Sequence, residues 1–180
     1  RKKHEKKRDL RAVKAKRASM TYLQMDLKYL NDIPNYWEQL KPLNLPKFQY
    51  TVRDSKSGML FLGYSNELSE LNARTMVDYV ISEMKLDLPF DIKELNIQTD
   101  NGSEFSGQAR RVETAPFVQM IEKTHGANHN YIRPGHCNAN ADVESSHDLI
   151  ETEFYDLTRF KDRDDFIRKA ESYRVYFNFV

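Results

Sequence analysis

A chain of 180 residues with a formal net charge of +1 and 39% hydrophobic residues is long enough to bury one sizeable core, so it reads as one domain with at most a tail. No apolar run approaches the roughly 18 residues that a membrane helix needs, and no signal-peptide pattern opens the chain. A single cysteine, Cys137, excludes an internal disulfide framework and fits a reducing compartment.

The charge is unevenly spread. From Arg1 to Arg17 ten Lys or Arg stand against Glu5 and Asp9, which gives this arm +8 and leaves −7 for the rest. A basic arm on an acidic body fits an arm that finds a polyanion and a body that concentrates carboxylates to hold cations. The other reading of the arm is a solvated helical linker, with Leu10 and Val13 as its only large apolar residues.

After the arm, Thr21 to Leu30 alternates like a strand, with Leu23, Met25 and Leu27 on one face and Gln24, Asp26 and Lys28 on the other. Asp26 is thus expected mid-strand, opposite the core face, where an acidic residue needs a reason. Residues 31 to 46 hold three prolines and Trp37, and read as a loop or short helical excursion with Trp37 as a packing anchor. Strands at Lys47 to Arg53 and Met59 to Tyr64, joined by Asp54-Ser55-Lys56-Ser57-Gly58, complete an antiparallel meander.

From Asn66 to Met84 the period becomes helical, with Ala73, Met76, Val77, Val80 and Met84 on one stripe. Leu86 to Phe90 is the exit, stopped by Pro89. A strand at Glu94 to Thr99 follows, ending at Asp100, and Asn101-Gly102 supplies residues that tolerate positive φ. A carboxylate at the end of such a strand is held rigidly beside the crevice where ligands bind. This strand should run parallel to a neighbour, because a helix precedes it.

Thr114 caps a short helix with Phe117, Met120 and Ile121 inward and Gly126 at its end. His129 to Ile132 is a fifth strand. The next helix begins near Asn138 or Asn140, with Val143, Ile150, Phe154 and Leu157 buried and Glu144 at the flank of that stripe. A last helix opens at the acidic residues 162 to 165 and buries Phe166, Ala170, Tyr173 and Phe177. The order β β β α β α β α α is an α/β domain with a mixed five-stranded sheet.

With the elements so placed, the chain from about Thr21 onward resembles the catalytic core of DDE transposases and retroviral-type integrases, and most of all bacterial insertion-sequence transposases. The stretch Thr99-Asp100-Asn101-Gly102-Ser103-Glu104-Phe105 carries the family's second acidic motif. Leu23 to Tyr29 around Asp26 stands at the first, without its Trp and Thr. Asn140 to His147 around Glu144 stands at the third, with Ala141 for a glycine, Ser145 for a basic residue, and Asp148 where a basic residue is common. Asp100 and Glu144 are 44 positions apart, more than the familiar spacing, with the excess placed in Gly107 to Glu113. The ending Tyr173 to Val180 resembles the close of the family's cores. A helix-turn-helix region generally precedes the core, so the chain reads as part of a longer protein.

The resemblance implies a ribonuclease H-like fold with helices on both faces of the sheet, a basic arm or linker at 1–17 and a catalytic core at 18–180. It implies Asp26, Asp100 and Glu144 as catalytic residues and metal ligands, with two Mg²⁺ or Mn²⁺ ions when DNA is bound. Hard ions of this kind take carboxylate, water and phosphate oxygens. Without metal, converging carboxylates repel and raise one another's pKa values. Asn101, His147 and Arg133 are candidates for DNA contact or support. His147 is read either as touching phosphate or orienting a water, or as an ordinary hydrogen-bonded histidine. Asp54 and Glu151 are rivals for the acidic positions, one at a hairpin turn and one outside the motif, while Glu104 supports its turn. The implied partners are DNA, as element ends and target, and further copies of the chain on that DNA; no membrane is involved. The implied setting is the bacterial cytoplasm, at the nucleoid. Two alternatives stay open: a nuclease of the same fold that does not join strands, and a nucleic-acid-binding module without activity.

Overall fold

The computed structural model describes residues 12–87, 91–106, 115–133 and 137–179. The exit at Pro89, the polar stretch 107–113, the cap at Thr114 and the turn at 134–136 lie outside these residues. Strand β1 (Tyr22–Tyr29) is the centre of a five-stranded sheet, with β2 (Phe48–Asp54) antiparallel on one side and β4 (Asn96–Thr99) parallel on the other. Beyond β2 lies β3 (Leu60–Ser65), antiparallel, and beyond β4 lies β5 (Asn128–Tyr131), parallel, so the order is β3-β2-β1-β4-β5.

The helices of the core are α1 (Pro34–Leu40), α2 (Glu70–Asp87), the short α3 (Ser103–Ser106), α4 (Pro116–Gln119), α5 (Ala141–Ile150) and α6 (Arg163–Phe179). Wider π-helical turns prolong α4 through His125 and α5 through Tyr155. Gly126, at φ 80°, ends the first of these in the left-handed region that glycine adopts without strain.

Helices cover both faces of the sheet. On one face Leu23, Met25, Leu27, Tyr50, Val52 and Ile97 meet the predicted α2 stripe of Ala73, Met76, Val77, Val80 and Met84, all buried. On the other, Leu60 joins Tyr36, Ile150, Phe154, Tyr155, Phe160, Phe166, Ala170 and Tyr173. Edge-to-face aromatic pairs knit this second core, with Tyr36 against Tyr155 at 5.2 Å and Phe166 against Tyr64 at 4.9 Å. The polar face of β1 is therefore not a solvent face. Gln24 there is 2% exposed, and Thr51 and Gln49 on β2 are fully buried.

Two expected core residues lie outside the core. Trp37 is 48% exposed, because the buried stripe of α1 runs through Tyr36, Gln39 and Leu40 and leaves position 37 off it. Tyr36 is the anchor instead, its hydroxyl donating to the Pro46 carbonyl at 2.9 Å. Leu157 is 76% exposed, because the wide turn at Glu151–Tyr155 shifts the helical phase and puts Phe154 and Tyr155 inside. Phe166→Ala is accordingly expected to lower the unfolding free energy by about 3–5 kcal/mol in urea titrations, whereas Leu157→Ala changes it by less than about 0.5 kcal/mol.

Candidate active site

Parallel pairing places Gln24 opposite Gln98, which brings Asp26 and Asp100, each two residues further on, to the same level of adjacent strands. Asp26 retains 20% of its side-chain exposure, while Asp100 and Glu144 are exposed. The Leu27 N–H donates to Asp26 Oδ1 at 2.9 Å, and the Gly102 N–H donates to Asp100 Oδ1 at 2.8 Å, so each aspartate is anchored by backbone. Asn101 ties the turn to β5 by donating to the Ile132 carbonyl at 2.8 Å, a supporting contact. Arg133 is exposed just past β5.

Gly102 is not in the left-handed region expected of the Asn-Gly pair. The Glu104 carboxyl folds back over the turn, and a Cβ at Gly102 would stand 2.6 Å from it, a contact that this flexible side chain relieves by turning away.

Glu144 is placed by a polar clamp. The Ala139 carbonyl accepts from both Gln24 Nε2 at 2.9 Å and Gln98 Nε2 at 2.8 Å. Gln24 Oε1 in turn accepts from the Val143 N–H at 3.2 Å, and Asn140 Nδ2 donates to the Met25 carbonyl at 3.3 Å. The start of α5 is thus fastened across β1 and β4, and Glu144 follows Val143 in its first turn, where the helix dipole favours an acid. Arg53 donates to the Asp142 carbonyl at 2.8 Å, and Lys14, at the base of the basic arm, pairs with the Asp142 carboxylate at 2.5 Å.

The electrostatics of the cluster centre on Asp26. Burial, then the charges of Asp100, Glu144 and Glu104, push its carboxyl up to about 7 against the pull of the Leu27 N–H. Burial and then Asp100 also raise Glu104, against the pull of its own N–H and of Ser103. Four acids therefore repel one another around a single site.

His147 lies beneath Asp26, 6% exposed, which places it under the site and away from any phosphate in solvent. Its Nδ1 stands 3.9 Å from Asp26 Oδ2, and its Nε2 meets Thr51 Oγ1 at 2.9 Å. The Tyr155 hydroxyl donates to Gln49 Oε1, and Gln49 Nε2 donates to Thr51 Oγ1 at 2.8 Å. Burial, with a smaller contribution from Lys28, holds His147 down to about 4, so the ring is neutral.

The rival acids are engaged elsewhere. Glu151 pairs with Lys28 at 2.6 Å, and Asp54 accepts from the Ser57 N–H and hydroxyl within its hairpin. Among the described residues no three His, Cys, Asp or Glu side chains converge closely enough to hold one ion as they stand. The chemistry of the donor set nevertheless fits a hard divalent cation: all carboxylate, mutually repelling, with one member raised to about 7. Gln24, Gln98, Asn140 and Thr51 were not singled out from the sequence. A signal existed, since a glutamine sits two positions before each aspartate and so shares its strand face.

No protein-family model matches the chain, and no curated protein matches it. Solved structures do. The catalytic core domain of BIV integrase aligns with a TM-score of 0.47 and 17% identity over 74% of this chain and 68% of that one. A chain of the simian T-cell lymphotropic virus intasome, solved in complex with PP2A regulatory subunit B56 gamma, aligns with a TM-score of 0.58 and 16% identity over 85% of this chain. The fold is ribonuclease H-like. The alignment takes in 48% of that intasome chain, so the present chain spans about half its length.

The raised Asp26 makes a signed prediction. Its folded value of about 7 exceeds the usual 3.8, so its contribution to stability is present below pH 4 and is lost as pH rises through 7. In a chelator, Asp26→Asn is expected to raise the melting temperature by several degrees at pH 8, on the order of 2–4 kcal/mol, with the gain shrinking steadily from pH 7 towards pH 4 in calorimetric scans.

Proposed function

We propose that this chain is the catalytic core of a DNA transposase or integrase, a metal-dependent polynucleotidyl transferase of the bacterial insertion-sequence kind. The observation that carries the reading is the meeting of β1, the end of β4 and the first turn of α5. There Asp26 feels the charges of both Asp100 and Glu144. A carboxylate cluster of this cost, built where a buried glutamine pair fixes the helix, is a liability unless cations are bound.

Asp26, Asp100 and Glu144 would hold two Mg²⁺ or Mn²⁺ ions, which when bound activate an attacking oxygen and stabilise a leaving oxygen in an in-line displacement at phosphorus. The chain's own residues supply position. The Leu27 N–H holds Asp26, the Gly102 N–H holds Asp100, and the clamp on Ala139 and Val143 holds Glu144. In the first step water attacks a phosphodiester and frees a 3′ hydroxyl. In the second that hydroxyl attacks a target phosphodiester, forming one P–O bond as another breaks, so no external energy source is needed. Element ends and target DNA are the partners, with several copies of the chain assembled on them as in the intasome it aligns to. The match of Thr99–Phe105 to the family's second acidic motif supports the transposase reading over other enzymes of this fold.

The test is strand transfer by the full protein with Mg²⁺ or Mn²⁺ on DNA carrying its element ends. Joined products are expected, with Asp100→Asn reducing them at least a hundredfold; undiminished joining by that variant refutes the assignment, and cleavage without joining makes the enzyme a nuclease. Because Asp26 must lose its proton to bind metal, Mn²⁺ affinity measured by calorimetry should rise about tenfold per pH unit below 7 and level off above it.

A further inference from the structure

Between β1 and β2 the chain makes an excursion through α1, and between this excursion and the end of the sheet lies an open groove of about 530 Å³. Its walls pair aromatic faces with cations. Trp37 is 48% exposed and Tyr29 44% exposed, the latter braced edge-on by Phe48 at 5.3 Å. Lys41, whose ammonium stands 5.7 Å from the Trp37 ring, and Lys47 are both exposed, and neither pairs with a carboxylate among the described residues. No acid lines the groove, and its other polar groups are the side chains of Asn31, Asn44 and Asn66.

The groove lies at the same end of the sheet as the carboxylates. Tyr29 is three residues beyond Asp26 on β1, about 10 Å at a strand's rise per residue. Beside Glu144 the exposed face of α5 carries Asp148 and no basic residue, Asp142 is half-buried and paired with Lys14, and Ser145 turns its hydroxyl back onto the Asp142 carbonyl. Phosphate charge must therefore be met by groups off that helix.

We propose that this groove binds a single-stranded stretch of DNA, with bases stacked on Trp37 and Tyr29 and phosphates met by Lys41 and Lys47. The inference rests on the DNA reading above, and it narrows it: exposed aromatic faces beside unpaired cations bind unpaired bases, whereas duplex bases already stack on one another. The two unpaired lysines in the lining disfavour a second copy of this chain as occupant, since lysine is depleted at such interfaces.

Trp37 is the sole tryptophan, so its emission reports on the groove directly. Titration of the 180-residue chain with short oligo(dT) at low salt should quench Trp37, while an abasic strand of equal length and charge should not. Lys41→Ala/Lys47→Ala should weaken the quenching titration about tenfold. In a fluorescence-anisotropy titration with labelled oligo(dT), Trp37→Ala should weaken binding about tenfold, and Trp37→Phe should recover most of it, as expected for a stacking contact. Equal quenching by the abasic strand, or unchanged affinity in Trp37→Ala with its melting curve intact, overturns the proposal. A Trp37 shift that follows protein concentration without DNA also overturns it and assigns the groove to a second copy. Asp100→Asn separates the two readings: if that variant keeps strand transfer the enzymatic reading fails while the groove stands, and if Trp37 proves indifferent to DNA the groove fails while the enzymatic reading stands.

Discussion

One backbone oxygen, the carbonyl of Ala139, accepts hydrogen bonds from glutamines on two adjacent strands, and the candidate site depends on that contact. Glu144 is on a helix far along the chain from Asp26 and Asp100, and nothing in its own exposed side chain fixes it near them. The position comes from the helix start, where Gln24, Gln98 and Asn140 join the backbone around residues 139 to 143 to β1 and β4. The bonds from Asn140 to the Met25 carbonyl and from the Val143 N–H to Gln24 are buried, so a partner lost there leaves an unsatisfied polar group at a cost of about 1–3 kcal/mol. The clamp is therefore rigid where the carboxylates it serves are exposed.

The second constraint opposes the first. Packing Asp26 into the sheet among three other acids raises its proton affinity by about three pH units, which destabilises the ionised cluster. The surrounding structure tolerates this because two separate cores, one on each face of the sheet, hold the strands in place. His147 is a neutral ring beneath Asp26, at one end of a chain of hydrogen bonds that runs through Thr51 and Gln49 to Tyr155. Stability is thus spent at one point and recovered over the whole sheet, the usual arrangement of a site built to receive charge from outside.

Much of this was legible in the residues. Period-two alternation in β1 and β2, the α2 stripe and the Asp100 turn after β4 are local patterns, and local patterns survive folding. The five strands and their mixed directions followed from them, whereas the ribonuclease H-like fold was implied by the resemblance of the acidic motifs to a known family. What was not legible depends on neighbours distant in sequence. Gln24 reads as a position opposite the core face, and only the arrival of α5 makes it interior. Trp37 reads as an anchor by its size, yet the helical phase gives that place to Tyr36. Leu157 falls out of the core through a change of helical pitch that no side-chain pattern announces. Gly102 looks like a left-handed turn glycine, yet its φ is not positive. His147 could be read as a phosphate or water contact or as an ordinary hydrogen-bonded histidine, and its burial against Thr51 comes from packing that the sequence does not show.

The central claim is that Asp26, Asp100 and Glu144 grip divalent cations in common. A crystal soaked in Mn²⁺ and measured at the manganese absorption edge tests it most directly. The account predicts an anomalous peak bounded by carboxylate oxygens of all three residues, with their side chains drawn inward from the positions they hold without metal. Manganese found only elsewhere on the protein, or bound by one of the three while the others stay apart at saturating concentration, would contradict it.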